Sequence, residues 1–436
     1  MTTAQEPENF PLVQIKANQP ITTVDQLYAH LCWAAQVEMA AIPLYLYAAY
    51  SIKTQNVSQW APGPGAFRIL KSVVIEEMLH LSLARNMITA IGRDIRFCDE
   101  KFIPKYPYPV PMRQPELKLT LGKLTKDLAR DVFMEFEKPS PRRQKAEATQ
   151  AGGSASEEYA TIGQFYQAIH DGFKLLCGVD KNHPNGDPNK INELFKNNRV
   201  DLQYVDTYWN EGGGGKPILV TGLPSALIAI NTIVEQGEGM SSDRQKVPIY
   251  DPGTGEETPY FEYPHYVKLE RIAKGWEPIG ETYTVPDNPK IEFYPEGKIK
   301  NLGLLCNAAY TYVLRLLDEL YRTSWKAVKP GNKDDKRYGL ERTFIAAMQG
   351  LLFGAAKQLV RTPINEGRYV GFNAAPTFEW YNNFPQDEPM TDHLMELCNK
   401  VVPHFPELGG DNSVLWLIEK MPPLQPHPTP AIQHTP

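Results

Sequence analysis

The feature that most constrains this chain is a set of acids placed where a helix normally carries hydrocarbon. Glu38 falls among Ala34, Ala35, Ala41, Ile42 and Tyr45, in an apolar stripe recurring at three or four residues from Leu27 to Ile42. Glu77 and His80 fall likewise among Val73, Val74, Leu81 and Ala84, and a spacing of three puts both on one helix face. A carboxylate on a buried face is strongly penalised unless something neutralises it. A bivalent cation would draw these groups together and remove the penalty.

The same chemistry returns downstream. Glu235 closes the apolar run Leu227, Ile228, Ile230, Ile233, Val234, and Glu262-Tyr263-Pro264-His265 is a second Glu-x-x-His, leading into Val267, Leu269 and Ile272. Two of these positions carry conditions. Proline is tolerated only in a helix's first turn, so Glu262 shares a face with His265 only if that helix begins near Phe261. Glu238 lies three residues past Glu235 and competes with it; Gly237 should weaken the helix beyond Glu235, which favours Glu235.

Glu, Glu-x-x-His, Glu, Glu-x-x-His on four predicted helices is the ligand plan of the ferritin-like, carboxylate-bridged di-iron or di-manganese bundle. The predicted metal ligands are Glu38, Glu77, His80, Glu235 or Glu238, Glu262 and His265. Of these, Glu38, Glu77, His80, Glu235 and His265 are expected to support catalysis. Glu76 reads as part of a solvated helix face and His30 as a packed helix residue. Trp33, Tyr45 and Phe165 permit an aromatic-sized pocket, and Tyr166 is either a neighbour of the site or plain core.

The rest of the chain reads as a mostly α protein: a ferritin-like four-helix bundle core with long loops and a C-terminal helical extension. Thr23-Val24-Asp25-Gln26 is a capping box for a helix running to about Ser51. A second helix is predicted from Ala66 to Gly92, and a long Pro- and Tyr-rich loop over Phe102 to Gln114. Further helices follow over Lys123 to Glu137, Glu157 to Leu176, Leu223 to Glu238 and Phe261 to Lys274. Gln164 is the residue best placed in the apolar run of the helix after Glu157. Pro139 to Ser156 reads as a mobile surface loop, and Trp276 to Lys300 as holding a strand or two.

Beyond Asn301, helices are predicted over Leu302 to Thr323, Tyr338 to Arg361, Thr391 to Val402 and Asn412 to Lys420. A Pro-rich tail from Pro422 should be extended or disordered. With 436 residues the division expected is 1–300 for the metal domain, 301–421 for a helical extension packed on it, and 422–436 for the tail.

Composition narrows the partners. Lys+Arg number 45 against 51 Asp+Glu, a net charge of −6, which gives no electrostatic case for nucleic acid. Five scattered cysteines without a C-x-x-C pair argue against a disulfide framework or a thiolate zinc site. The longest apolar stretch is read as Met39 to Tyr50, interrupted by Pro43 and too short to span a bilayer, and the N-terminus lacks a signal-peptide core. A cytoplasmic protein is expected, with a small-molecule substrate and O₂ as partners, no membrane, and room for a homo-oligomer.

Several segments also look alike to a known family. Val74-Ile75-Glu76-Glu77-Met78-Leu79-His80-Leu81, Thr161-Ile162-Gly163-Gln164-Phe165-Tyr166, Ile233-Val234-Glu235-Gln236-Gly237-Glu238-Gly239, His265-Tyr266 and Ala375-Pro376-Thr377-Phe378-Glu379 carry the likeness. They resemble the ferritin-like family of iminophenyl-pyruvate dimer synthase, the enzyme of violacein-type bisindole pathways. The resemblance covers most of Val24 to Gly275, with weaker echoes to about Trp380, and implies a four-helix core and an oxidation in secondary metabolism. The pathway enzyme is a much longer chain, and Gln164 stands where the resemblance places a Glu.

The expected function is therefore a non-haem di-iron oxidase or oxygenase, with two iron ions or manganese in their place. It would use O₂ to oxidise a small aromatic or amino-acid-derived substrate. The alternatives are a ferritin-like metal-binding or ferroxidase protein without an organic substrate, and a non-catalytic helical scaffold.

Overall fold

The structure is a computed structural model that describes residues 15–54, 65–111, 113–139, 157–205, 215–238, 247–250, 257–325 and 336–427; of 247–250 and 257–262 it describes the backbone. It divides into two compact units, 1–95 with 104–282, and 96–103 with 283–436.

The first unit is built on α1 (Val24–Ser51), which starts where the capping box predicts. The Thr23 hydroxyl accepts from the Gln26 N–H at 3.2 Å, and the Gln26 side chain accepts from the Thr23 N–H at 3.1 Å. This helix is apolar nearly all round and buried along most of its length, as the central member of a bundle must be. Pro43 lies inside it, and one turn earlier the Tyr106 hydroxyl donates to the Ala40 carbonyl at 2.6 Å. The next helix, α2 (Gly65–Ala90), stops just before Gly92, whose φ of 74° is the left-handed conformation that ends helices.

The stretch Phe102 to Gln114, read from sequence as loop, contains the two-residue strand β1 (Tyr108–Pro109), which pairs antiparallel with β2 (Lys118–Leu119) just beyond it. Then come α3 (Lys126–Leu128), a π-helical turn (Ala129–Phe133) and α4 (Met134–Phe136). Of the predicted surface loop Pro139 to Ser156, residues 140–156 lie outside the described residues. The chain continues through α5 (Ile162–Leu176), capped by Thr161, then α6 (Pro188–Leu194) and α7 (Leu223–Gly237). Helix α1 packs on α2 and α5, and α7 packs on the same two, which closes a four-helix ring. Helix α5 takes the place in this ring that the ligand pattern assigned to the helix carrying His265.

That helix begins later than predicted. Strands β3 (Val247–Tyr250) and β4 (Glu257–Glu262) pair antiparallel, with Val247 opposite Glu262. Only then does α8 (His265–Ala273) start, with Pro264 as its N-cap. The residue before a proline is biased toward extended backbone, which carries the strand conformation up to the cap. Glu262 therefore ends a strand, and the helical spacing that would put it on one face with His265 does not exist. Helix α8 packs on α2, α7 and the α3–α4 stretch. The strands expected over Trp276 to Lys300 are replaced by an isolated bridge, Ile52 to Thr282, and a 3-10 turn at Ile291–Phe293. Pro278, Pro286, Pro289 and Pro295 interrupt any longer ladder.

The second unit is organised around α9 (Lys298–Arg322). Against it pack α10 (Lys336–Ala346), a π turn (Ala347–Leu352), α11 (Phe353–Arg361) and α12 (Met390–Val401), while α13 (Val414–Lys420) packs on the π turn and α12. Lys336–Arg361 reaches a mean hydropathy of 1.2 over 18 residues and is, by length and composition, able to cross a bilayer. It buries Leu340, Ala347, Leu351, Ala355 and Leu359. Asp318 on α9 accepts from the Phe97 and Cys98 N–H groups at 2.8 and 3.0 Å and pairs with His427 Nε2 at 2.8 Å. The Gln425 carbonyl accepts from Arg315 Nε at 3.0 Å. The start of the predicted tail is thus extended but tied to α9. All five cysteines are buried and unpaired.

Candidate metal centre

Six side chains converge inside the first unit. Glu38 comes from the middle of α1, Glu77 and His80 from α2, Glu137 from the C-cap of α4, Glu238 from the C-cap of α7, and His265 from the first turn of α8. All six are buried, His265 with no exposed surface and Glu238, the most open, at 7%. Glu38, Glu77, His80, Glu137 and Glu238 line one small pocket, with Val37, Ile162, Ile233 and Val234 among its apolar walls.

The Glu77 carboxylate sits between the two imidazoles. Its Oε2 is 3.7 Å from His80 Nδ1 and its Oε1 is 3.0 Å from His265 Nδ1. Glu38 Oε2 is 3.5 Å from His80 Nδ1, and Glu137 Oε1 is 3.4 Å from His265 Nδ1. One acid thus offers an oxygen to each side, and each side has a further acid of its own. The far nitrogens are engaged elsewhere: His80 Nε2 lies 3.0 Å from Gln236 Oε1 and His265 Nε2 lies 2.7 Å from Glu76 Oε2. With Nε2–H given to an oxygen, each ring turns Nδ1 toward the carboxylates, where it carries a proton that a bound metal would displace. This is how an imidazole is set to bind a metal.

The oxygens are oriented as well. Tyr166 donates its hydroxyl to Glu38 Oε1, which leaves Oε2 turned toward His80. Tyr45 donates to Glu137 Oε1 at 2.7 Å. Gly163 donates its N–H to Glu238 Oε1 at 2.5 Å, and a Cβ on Gly163 would stand 2.6 Å from the Glu238 carboxyl carbon. A Cβ on Gly237 would stand 3.3 Å from Glu137 Oε2. The two glycines make room for two acids.

The electrostatics are those of an acid cluster short of positive charge. Burial, helped by Glu77, pushes the Glu38 carboxyl up to about 7 against the pull of His80. Burial disfavours charge on His80, but Glu38 and Glu77 outweigh it and lift the imidazole to about 9. Burial also keeps Tyr45 and Tyr166 well above the usual phenol range. Lys268 brings a full cation to the edge, its ammonium contacting Glu76 Oε1 and Oε2 at 2.8 and 2.7 Å.

A bivalent metal fits this donor set. Glu77, His80 and His265 present ligand atoms within 4.8 Å of one another, and His265 Nδ1 is buried without a hydrogen bond. Hard carboxylate oxygens with two imidazoles suit iron or manganese better than copper.

Glu38, Glu77, His80 and His265 are brought together. Glu238, rather than the favoured Glu235, reaches the pocket. The buried face of α7 runs through Ala226, Ala229, Ile230, Ile233, Gln236 and Gly237, and Glu235 lies off it, half-buried. The helix ends at Gly237, but Glu238 as its C-cap keeps helical dihedrals of −82° and −32° and so still projects from the last turn. Nothing is described of the Glu262 side chain.

Glu76, read as solvated, is 1% exposed, held between Lys268 and His265. Glu137 was missed because it ends a short helix with no histidine beside it; the apolar Phe133 and Phe136 before it were the available signal. Gln164 is exposed, its side chain accepting from the Ala160 N–H at 2.9 Å at the start of α5, so it points away from the cluster. Trp33 and Phe165 line a neighbouring pocket, whereas Tyr45 serves Glu137. His30 is packed on Phe165 with Nδ1 2.6 Å from the Gln26 carbonyl oxygen.

A family model described as ferritin-like matches residues 31–274. Dichlorochromopyrrolate synthase of Lentzea aerocolonigenes is 26% identical over 409 residues, covering 84% of this chain. The chain spans 37% of that relative's length. A solved structure of a ferritin-like protein from Caulobacter vibrioides is 19% identical, with a TM-score of 0.47 over 82% of this chain and 99% of that one.

Proposed function

The chain belongs to the ferritin-like family, and from that premise we propose that it is a cytoplasmic, dinuclear non-haem iron oxidase or oxygenase. In this reading it uses O₂ to oxidise a small aromatic or amino-acid-derived molecule in secondary metabolism. The observation that carries the reading is the Glu77 carboxylate facing two buried imidazoles, each of which turns Nδ1 inward and has its Nε2 held by a second residue. Two ferrous ions held there would supply the electrons and the open coordination positions that reduction of O₂ requires.

The chain's own groups prepare the site. Glu38, Glu77 and His80 would hold metal on one side, Glu137 and His265 would hold it on the other beside Glu77, and Glu238 faces the pocket from α7. Glu76 and Gln236 fix the imidazole tautomers. Tyr166 and Tyr45 orient Glu38 and Glu137 through hydroxyl protons that burial keeps in place. Val37, Ile162, Ile233 and Val234 keep water from one side of the pocket. The similarity to a dichlorochromopyrrolate synthase supports a biosynthetic oxidation over iron storage.

The test is anaerobic reconstitution of the full chain with ferrous iron, elemental analysis, and an O₂ pulse with and without candidate substrates. About two irons per chain and substrate-dependent O₂ uptake with an oxidised organic product are expected. Iron oxidation without substrate followed by growth of a mineral core would make the protein a store. A Glu77→Ala/His80→Ala double variant that still holds two irons would refute the ligand assignment.

A further inference from the structure

The two halves of the metal centre match in kind as far as the imidazole rings. Each sets a histidine Nδ1 against one carboxylate of its own, Glu38 for His80 at 3.5 Å and Glu137 for His265 at 3.4 Å. Glu77 turns Oε2 to the first ring and Oε1 to the second. Glu38 and Glu137 each accept a tyrosine hydroxyl, from Tyr166 and Tyr45. Behind the rings the match ends.

His80 Nε2 lies 3.0 Å from Gln236 Oε1, a neutral amide oxygen on the buried face of α7. His265 Nε2 lies 2.7 Å from Glu76 Oε2, which belongs to a carboxylate. Two short spacings build that second arrangement. Glu76 and Glu77 are consecutive on α2 and take the two nitrogens of one ring, Glu76 at Nε2 and Glu77 at Nδ1. Three residues after His265, on the same face of α8, Lys268 sets its ammonium 2.8 and 2.7 Å from the two Glu76 oxygens and 2.9 Å from Ser72 Oγ. That ammonium supplies the counter-charge a buried carboxylate needs. A hydrogen bond to an ionised acceptor is shorter and roughly twice as strong as one to a neutral acceptor. A carboxylate behind Nε2–H therefore pushes more electron density toward Nδ1 than an amide does, and a nitrogen so backed is the stronger metal donor.

We propose that the two halves differ in metal affinity by about 10- to 100-fold, the span that such outer partners command. The His265 half, backed by Glu76 and Lys268, fills first and retains its ion; the His80 half, backed by Gln236, holds the exchangeable one. This rests on the two-metal part of the proposed function and on no oxidation step. Glu76, Lys268 and Gln236 are positioning residues that act through the two imidazoles.

The test is titration of the metal-free full chain with Mn(II) alone, the unbound ion being counted by its electron paramagnetic resonance signal. Two steps about tenfold or more apart in affinity are expected. Glu137→Ala should remove the tight step and Glu38→Ala the weak one. Glu76→Gln puts an amide behind both rings and should draw the steps together, weakening the tight one and leaving the weak one in place. Glu76→Gln/Lys268→Met, neutral at both positions, should do the same where the single variant does not fold. If neither folds, Glu38→Ala and Glu137→Ala decide which half is the tight one. Loss of the weak step in Glu137→Ala, or a Glu76→Gln chain that keeps the separation, overturns the proposal. Two ions bound with equal affinity overturn it too and leave the two-metal reading standing. A single ion, lost in Glu137→Ala and weakened by Glu76→Gln, would do the reverse, and a chain that binds no ion refutes both.

Discussion

Gly163→Ala sets two effects of opposite sign against each other. In a helix without tertiary neighbours, alanine improves on glycine by up to about 1 kcal/mol. Here the new Cβ would stand 2.6 Å from both Glu238 Oε1 and the Glu238 carboxyl carbon, closer than any real contact. Relief requires the buried carboxylate to move off α5 and give up the 2.5 Å bond from the Gly163 N–H. A hydrogen bond to a charged group is worth about 1.5–3 kcal/mol, so the net expectation is a loss of about 1–2 kcal/mol. Metal affinity should fall with it, because one carboxylate leaves the pocket.

Gly339→Ala is the control for propensity alone: that glycine is exposed within α10 and a Cβ there meets nothing within 4 Å. It should stabilise by about 0.5–1 kcal/mol. Denaturant melts and iron titrations of both variants provide the assay. A Gly163→Ala protein as stable as Gly339→Ala, with full iron content, would refute the placement of Glu238.

Glu238→Ala and Glu137→Ala should each lower iron stoichiometry or affinity at least tenfold, while Glu235→Ala leaves both unchanged; elemental analysis after reconstitution distinguishes them. Lys268→Met should cost about 3–5 kcal/mol in the metal-free protein, because it strips the cation from a fully buried Glu76, and Glu76→Gln in the same chain should recover part of the loss in denaturant melts. Burial holds His30 and His427 below the usual 6.5, so the unfolded chain takes up protons that the folded one refuses. The contribution of these two histidines should therefore be fully present above pH 6.5 and decline as pH falls below it, opposite in sign to that of His80, which is lost as pH rises through about 9, and His30→Gln should shallow the acid-side slope in thermal melts.

The first two helices and three members of the buried acid–imidazole cluster were readable from pattern alone. Thr23 and Gln26 form a local capping box, and a charge lodged inside an apolar stripe, as Glu38, Glu77 and His80 are, has few explanations. These signals lie within a turn or two of chain, where helical geometry is the same whatever surrounds it. His265 was found as well, although its helix starts at His265 itself and owes nothing to the spacing from Glu262.

Tertiary structure decided the rest. Glu137 and Glu238 stand at helix ends, where no periodic stripe announces a buried acid, and they reach the centre because Gly237 and Gly163 leave them room on neighbouring elements. Glu76 is solvated or buried according to whether a lysine and a histidine from α8 arrive beside it, which is set by packing some 190 residues along the chain. Gln164 is a ligand candidate only until the first turn of α5 claims it as a cap. The kinds of groups that gather in this protein are therefore written in local spacing, while which carboxylates complete the cluster depends on where helix ends meet, and only long-range packing determines that.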